Sequence, residues 1–196
     1  MDYLTQVSNY LEQEKTLLQA IDMHQISDVI SVLENARLNG KRIFVMGNGG
    51  SASTASHFCC DLNKCVCPNS PSKFKFICLN DNIPTMLAYA NDFSFDEIFV
   101  SQLENLYETG DVICGISTSG NSANVVRALQ WGKMQSATTI AITGFDGGMC
   151  SSNADYVINI PCNNMQMVED CHLIINHCIV SALNKTYNNE LHPAHN

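Results

Sequence analysis

Two pairs of histidine and carboxylate residues have spacings that suit metal or acid–base chemistry. His57 and Asp61 lie four residues apart in one segment with helical periodicity. Glu169 and His177 lie eight residues apart in another. Each spacing places both side chains on one face of a helix. Two imidazoles and two carboxylates that converge from two helices would suit Zn²⁺ or a similar divalent ion, with a position left for a substrate oxygen. We therefore predict a metal site formed by these four residues.

A single histidine on a helix is more often packed or solvated than functional, so the prediction depends on the pairing. His172 lies three residues after Glu169 in the same segment. Packing, or support of a neighbouring ligand, explains His172 at least as well as a ligand role does.

Two segments rich in glycine and hydroxyl residues could bind a phosphate. Small residues let the backbone approach an anion, and a helix that follows directs its free N–H groups at it. A helix cap and a tight turn need only one hydroxyl and one glycine, and residues 117–122 offer four hydroxyls. The spacing in residues 47–53 is not G-x-G-x-x-G, which makes dinucleotide binding the weaker interpretation. The predicted phosphate-binding residues are Asn48, Gly49, Gly50, Ser51, Ser117, Thr118, Ser119 and Ser122.

Short apolar runs alternate with helical stretches along the chain. The predicted strands are 42–46, 74–79, 111–117, 138–143 and 156–161. The predicted helices are 2–20, 25–39, 51–63, 83–90, 95–108, 121–135 and 165–187. Strands that are apolar throughout are typical of a parallel sheet covered on both faces, so we predict a three-layer α/β/α fold. Ligands bind such sheets beyond the carboxyl ends of the strands, where both candidate phosphate loops lie.

Composition limits the classes of function. The chain has 196 residues, of which 45% are hydrophobic, and this predicts one domain over 1–196. We divide it into N-terminal helices (1–40), an α/β core (41–187) and a polar tail (188–196). The net charge of -9, without a block of Lys or Arg, argues against nucleic acid as a partner. We also find no signal peptide and no apolar run of ~18 residues, which predicts a cytoplasmic protein that does not bind a membrane.

Ten cysteines raise the question of disulfides or a thiolate metal site. Most lie inside apolar segments, as Cys78, Cys114 and Cys178 do, and we expect them to be small buried apolar side chains. Cys65 and Cys67 form a cluster with the Cys59–Cys60 pair, but a second CxxC pair at zinc-finger spacing is missing. We therefore do not expect a cysteine metal site.

The order of the motifs resembles the sugar isomerase (SIS) family and, within it, the phosphoheptose isomerases. The matching segments are residues 48–52, 57–58, 91–92, 116–122 and 172–177. The resemblance implies a five-stranded SIS fold, usually in a homotetramer with active sites at the subunit interfaces. It also implies conversion of sedoheptulose 7-phosphate to D-glycero-D-manno-heptose 7-phosphate, a step towards nucleotide-activated heptose.

The four metal-site positions of this branch are His, Glu, Gln and His, and several members bind zinc there. Asp61 is one methylene shorter than the usual glutamate, and Glu169 brings a charge where glutamine is common. The shorter side chain weakens the case for direct proton transfer, whereas the added charge would strengthen binding of a cation. The resemblance also implies that Glu169 and Asp92 contact the substrate, although a turn or cap role competes for Asp92.

Isomerisation moves a proton between C1 and C2 of the sugar through an enediol and needs a base, for which Asp61 and His177 are the candidates. Two alternatives stay open. The chain could be a non-catalytic phosphosugar-binding or protein-interaction module, because the SIS fold also serves in sensors and one branch binds the bacterial replication initiator. Such a module has no use for a base or a metal. The chain could also isomerise another sugar phosphate.

Overall fold

A computed structural model describes residues 2–66 and 70–191, with side chains as far as residue 185. Five strands form one parallel sheet in the order β2-β1-β3-β4-β5. They are β1 (Ile43–Gly47), β2 (Phe76–Cys78), β3 (Val112–Ser117), β4 (Thr138–Thr143) and β5 (Tyr156–Asn159). All five predicted strands are confirmed, and β2 and β5 are shorter than expected. The last strand ends before Pro161, which has no N–H to continue the ladder.

Eight α-helices connect and cover the strands within the described residues. They are α1 (Tyr3–Gln19), α2 (Met23–Leu38), α3 (Gly50–Lys64), α4 (Ile83–Asp92), α5 (Val100–Leu106), α6 (Ala123–Met134), α7 (Gly148–Ser152) and α8 (Met165–Leu191). A 3-10 turn, Phe95–Glu97, precedes α5.

Two helix predictions differ from the structure, and one helix was not predicted. The segment 95–108 is not one helix, because the 3-10 turn precedes α5 and the backbone is extended again at Tyr107. The five-residue helix α7 is too short to show periodicity in the sequence. The helix predicted to end at 187 continues to Leu191, since no glycine or proline interrupts it before Pro193. The rest of the predicted tail, residues 192–196, lies outside the described residues.

Two apolar clusters lie on opposite faces of the sheet and confirm the three-layer prediction. Successive residues of β1 alternate between them: Ile43 and Val45 belong to one cluster, and Phe44 and Met46 to the other. Helices α2, α3 and α8 cover the first face, and α5 and α6 cover the second. All four β1 side chains are fully buried, which explains why this strand is apolar throughout.

The order of the strands fixes where a ligand can bind. From β1 the chain crosses to β2 on one side and returns to β3 on the other. The carboxyl ends of β1 and β3 therefore border the crevice at which parallel sheets of this type bind ligands. The loops that follow these two strands are the two predicted phosphate loops.

The cysteines mostly follow the prediction. Cys78 and Cys114 are buried free thiols, as expected. Cys178 is exposed on α8, so its predicted burial is wrong. Its apolar neighbours in sequence face the core, while this position points away from it. Cys67 lies outside the described residues. Across residues 2–66 and 70–191, the structure contains no helix with the length and apolar character needed to span a membrane.

Candidate active site

The first loop, residues 47–51, connects β1 to α3 through a conformation that glycine makes possible. Gly49 has a φ of +55° and ψ of -123°, a region that residues with a Cβ rarely adopt. Immediately after it, α3 begins at Gly50, so the free N–H groups of its first turn face the crevice. The side chain of Asn80 holds the start of the loop, because it accepts from the N–H of Gly47 (3.1 Å) and donates to its carbonyl (2.8 Å).

The second loop, residues 117–122, connects β3 to α6 and brings its hydroxyls towards the first. The Oγ atoms of Ser117 and Ser122 are 3.0 Å apart. Across the crevice, Ser51 Oγ lies 3.4 Å from Thr118 Oγ1. The two loops therefore present their hydroxyls to a common space.

A reciprocal pair of amide hydrogen bonds joins the two loops more firmly. Asn48 Nδ2 donates to Asn124 Oδ1 at 2.8 Å, and Asn124 Nδ2 donates to Asn48 Oδ1 at 3.0 Å. Asn124 is 1% exposed, and its Oδ1 also accepts from the N–H of Val125. This pair fixes the distance between the first loop and the start of α6.

The space between the loops is a cleft of about 280 Å³. All eight predicted phosphate-binding residues line it, together with Met165 and Glu169 from the start of α8. Asp92 is not among the lining residues. It is exposed at the end of α4, where its Oδ1 accepts from Asn91 Nδ2 at 2.8 Å. Within one chain, the structure therefore supports a local role for Asp92 rather than a contact with this cleft.

Three of the four predicted metal ligands converge at one point, and we call His57, Asp61 and His177 the ligand triad. The Nε2 atoms of His57 and His177 are 3.1 Å apart. Oδ2 of Asp61 lies 3.1 Å from His57 Nε2 and 3.7 Å from His177 Nε2. In the described residues this is the only group of at least three His, Cys, Asp or Glu ligand atoms that lie within 4.8 Å of one another.

The distances within the ligand triad fit a tetrahedral cation. Ligands at 2.0–2.1 Å from Zn²⁺ with tetrahedral angles stand about 3.3 Å apart. The observed separations of 3.1 to 3.7 Å bracket this value. Three protein ligands leave a fourth position open, as in catalytic zinc sites. The donor set of two imidazoles and one carboxylate also suits Zn²⁺.

Glu169, the fourth predicted ligand, does not belong to this group. Its carboxylate lies in the phosphate cleft, against Gly50 at the first turn of α3. It lies eight residues before His177 on α8, a distance of about 12 Å along the helix axis. The prediction of four converging ligands is therefore wrong for this residue, although its predicted place among the substrate-binding residues agrees with its position in the cleft.

His172 is buried apart from the ligand triad. Its Nε2 lies 3.0 Å from the carbonyl oxygen of Thr143, which joins α8 to the end of β4. Burial lowers the pKa of this imidazole to about 4, so it is neutral at physiological pH. Of the roles left open by the sequence, packing is the one that its surroundings support.

The cleft and the ligand triad lie along the same pair of helices. Ser51 and His57 are six residues apart on α3, a rise of about 9 Å. Glu169 and His177 lie in the same order on α8, which packs against α3. Both helices thus run from the phosphate loops towards the triad, and an extended sugar phosphate can reach from one to the other.

Sequence reasoning missed three residues of the site: Asn80, Asn124 and Met165. Asn80 follows β2 directly, so its place at the carboxyl edge of the sheet could have identified it. Asn124 lies two residues after the second loop and could have been included with it. Met165 gives no chemical signal, because only the packing of α8 places it at the cleft.

Comparison with known proteins identifies the family. A family model described as SIS domain matches residues 2–144. The phosphoheptose isomerase of Shewanella denitrificans is 34% identical over 91% of this chain and 93% of its own length. The phosphoheptose isomerase of Colwellia psychrerythraea is 35% identical over 91% of this chain and 93% of its own length.

Solved structures agree with these relatives. Phosphoheptose isomerase GmhA from Neisseria gonorrhoeae superposes with a TM-score of 0.86 at 26% identity, covering 93% of this chain and 99% of its own. A phosphoheptose isomerase from Francisella tularensis gives the same TM-score and identity over 94% and 100%. The chain therefore belongs to the SIS-domain family and, within it, to the phosphoheptose isomerase branch.

Proposed function

We propose that this protein is an aldose–ketose isomerase that converts sedoheptulose 7-phosphate to D-glycero-D-manno-heptose 7-phosphate. The main support for this proposal is the distance along α3 between the phosphate cleft and the ligand triad. A phosphate cleft lies at its first turn, and a histidine–carboxylate group lies about 9 Å further along the helix. This separation suits a seven-carbon sugar in its open-chain form, with the phosphate at one end and the reacting carbons at the other.

The two loops would hold the phosphate. The N–H groups at the start of α3 favour an anion, and the hydroxyls of Ser51, Thr118 and Ser122 supply further donors. The chain as a whole is acidic, with a charge of -9, so the binding energy must come from these local dipoles. An anchored phosphate would fix which carbons reach the ligand triad.

The ligand triad would carry out the proton transfer between C1 and C2. One of Asp61 and His177 accepts the proton from the carbon next to the carbonyl and returns it to the former carbonyl carbon. Asp61 can accept the proton through its second carboxylate oxygen while it holds the cation, whereas His177 can accept it at Nε2 only when that nitrogen does not hold the cation. Zn²⁺ or a similar divalent cation held by His57, Asp61 and His177 would polarise the sugar oxygens as a Lewis acid.

We also propose a homo-oligomer, a tetramer as in the branch that the sequence resembles. The side chains of His57 and His177 are 47% and 54% exposed, and proton transfer of this kind needs protection from water. Helix α4 has no buried residue, and its Ile83 and Leu87 are 58% and 63% exposed. A second copy could cover both surfaces. We also place the protein in the cytoplasm, because the relatives that it resembles are metabolic enzymes.

A turnover assay with a metal analysis tests the proposal. We expect the purified protein to contain a divalent cation and to isomerise sedoheptulose 7-phosphate. Binding of sugar phosphates without turnover would instead identify a non-catalytic SIS module. Turnover of a different sugar phosphate at a higher kcat/KM would retain the reaction and replace the substrate.

A further inference from the structure

The carboxylate of Glu169 occupies part of the phosphate cleft. A Cβ at position 50 would collide with both carboxylate oxygens of Glu169, so the carboxylate packs directly on the backbone of Gly50. Gly50 is the first residue of α3, and the same cleft is lined by Ser51 and Thr118. The side chain therefore lies where the phosphate of a substrate would bind.

A carboxylate and a phosphate would compete for this position. The first turn of a helix stabilises a negative charge, and the Glu169 carboxylate already has this favourable location. Two anions a few ångströms apart repel each other strongly in a partly buried cleft. Glu169 is half-buried at this cleft, so water screens the repulsion only in part. A phosphate that binds at the first turn of α3 therefore meets this repulsion unless the carboxylate moves away.

The free-energy cost of moving the carboxylate depends on the hydrogen bonds that it can make in its new position. Inorganic phosphate does not extend beyond the cleft, so it gives the Glu169 carboxylate no new hydrogen-bond donor there. In the proposed binding mode a phosphosugar would extend from the cleft towards His57 along α3 and α8, which pack against each other. Its hydroxyl groups can donate hydrogen bonds to the displaced carboxylate, and such charge-assisted bonds are strong.

We propose that Glu169 selects a phosphorylated sugar over free phosphate, by excluding a small anion from the cleft and accepting hydrogen bonds from the sugar when the sugar is present. This inference rests on the proposed function, because it assumes that a phosphosugar binds between the cleft and the ligand triad. It gives a role to the charge at a position where, in the branch that the chain resembles, a neutral glutamine is common.

Dissociation constants for inorganic phosphate and for sedoheptulose 7-phosphate, measured by calorimetry, test the proposal. The proteins are the unmodified chain, Glu169→Gln and the control Glu104→Gln, which removes one exposed carboxylate from α5. We expect Glu169→Gln to bind inorganic phosphate about tenfold more tightly, and the phosphosugar with less than about threefold change. Urea unfolding checks that both variants fold.

The outcomes separate this inference from the proposed function. If the unmodified protein binds and turns over the phosphosugar but Glu169→Gln leaves the ratio of the two dissociation constants unchanged, the inference alone is wrong. An equal change of that ratio in Glu104→Gln would also overturn it, since net charge would then be the cause. If the unmodified protein binds phosphate but not the phosphosugar, the proposed function fails and the inference fails with it.

Discussion

The Nε2 atom of His57 lies 3.1 Å from the Nε2 atom of His177, although 120 residues separate them in the chain. Oδ2 of Asp61 lies at the same distance from the His57 nitrogen. When neither Nε2 atom carries a hydrogen, each imidazole presents a lone pair, and the Asp61 carboxylate presents another. Three electron-pair donors therefore point at one position, which suits a cation there and places a base beside it.

Removal of either imidazole should abolish turnover. We expect His57→Ala and His177→Ala to lower kcat/KM for sedoheptulose 7-phosphate at least about 1000-fold, because each loses a cation ligand and His177 is also a candidate base. Both side chains are about half exposed, so folding should survive. The matched control is His24→Ala, an exposed histidine on α2. Full activity in either site variant, measured in a steady-state assay, would remove the ligand triad from the mechanism.

Metal removal should lower stability as well as activity. A cation that binds only the folded protein stabilises it by about 2.7 kcal/mol at a free concentration of 100 times its Kd. We expect Zn²⁺ to raise the midpoint of urea unfolding of the chelator-treated protein, and His177→Ala to lose most of this shift. An equal shift in His177→Ala would mean that zinc binds elsewhere.

The amide pair between the phosphate loops should control substrate affinity. In Asn124→Leu, the Asn48 side chain loses both of its partners, and we expect a loss of about 1–3 kcal/mol of unfolding free energy. The KM for the sugar phosphate should rise more than kcat falls, because the loops hold the phosphate and not the reacting carbons. Asn124→Asp keeps the acceptor for Asn48 Nδ2 and for the N–H of Val125 but loses the donor to Asn48 Oδ1, and its added negative charge should raise KM as well. A change confined to kcat would argue against this role.

His172 should make the stability depend on pH. Burial lowers its pKa to about 4 from 6.5 in the unfolded chain, so its neutral form stabilises the fold fully above pH 6.5. This contribution is lost as the pH falls from 6.5 through about 4, at up to about 1.4 kcal/mol per pH unit. His172→Gln removes the titration and can still donate to Thr143. Urea unfolding between pH 4 and 7 should show a shallower loss in this variant, and equal slopes would contradict the assignment.

The fold and most of the site could be predicted from the sequence because both depend on local patterns. The buried strands are apolar throughout, and each phosphate loop is a contiguous segment, so the prediction of its residues needed no tertiary information. The helical spacing of His57 and Asp61 placed both on one face of α3.

The position of Glu169 could not be predicted in this way. Residues eight apart on a helix share a face, yet they are separated by about 12 Å along its axis, and which one meets His57 depends on how α3 and α8 pack. The Asn48–Asn124 pair is likewise a contact between two loops distant in sequence. The burial of Cys178 could not be predicted for the same reason, because apolar neighbours in sequence do not indicate which face of α8 is buried.

Conversion of sedoheptulose 7-phosphate by the purified, cation-loaded protein, with His57→Ala and His177→Ala measured beside it, tests whether the ligand triad carries out the isomerisation. We expect the unmodified protein to form the aldose phosphate and both variants to lose this activity, while urea unfolding shows that both variants are folded. Absence of conversion by the folded, cation-loaded protein, or undiminished conversion by either variant, would contradict this expectation.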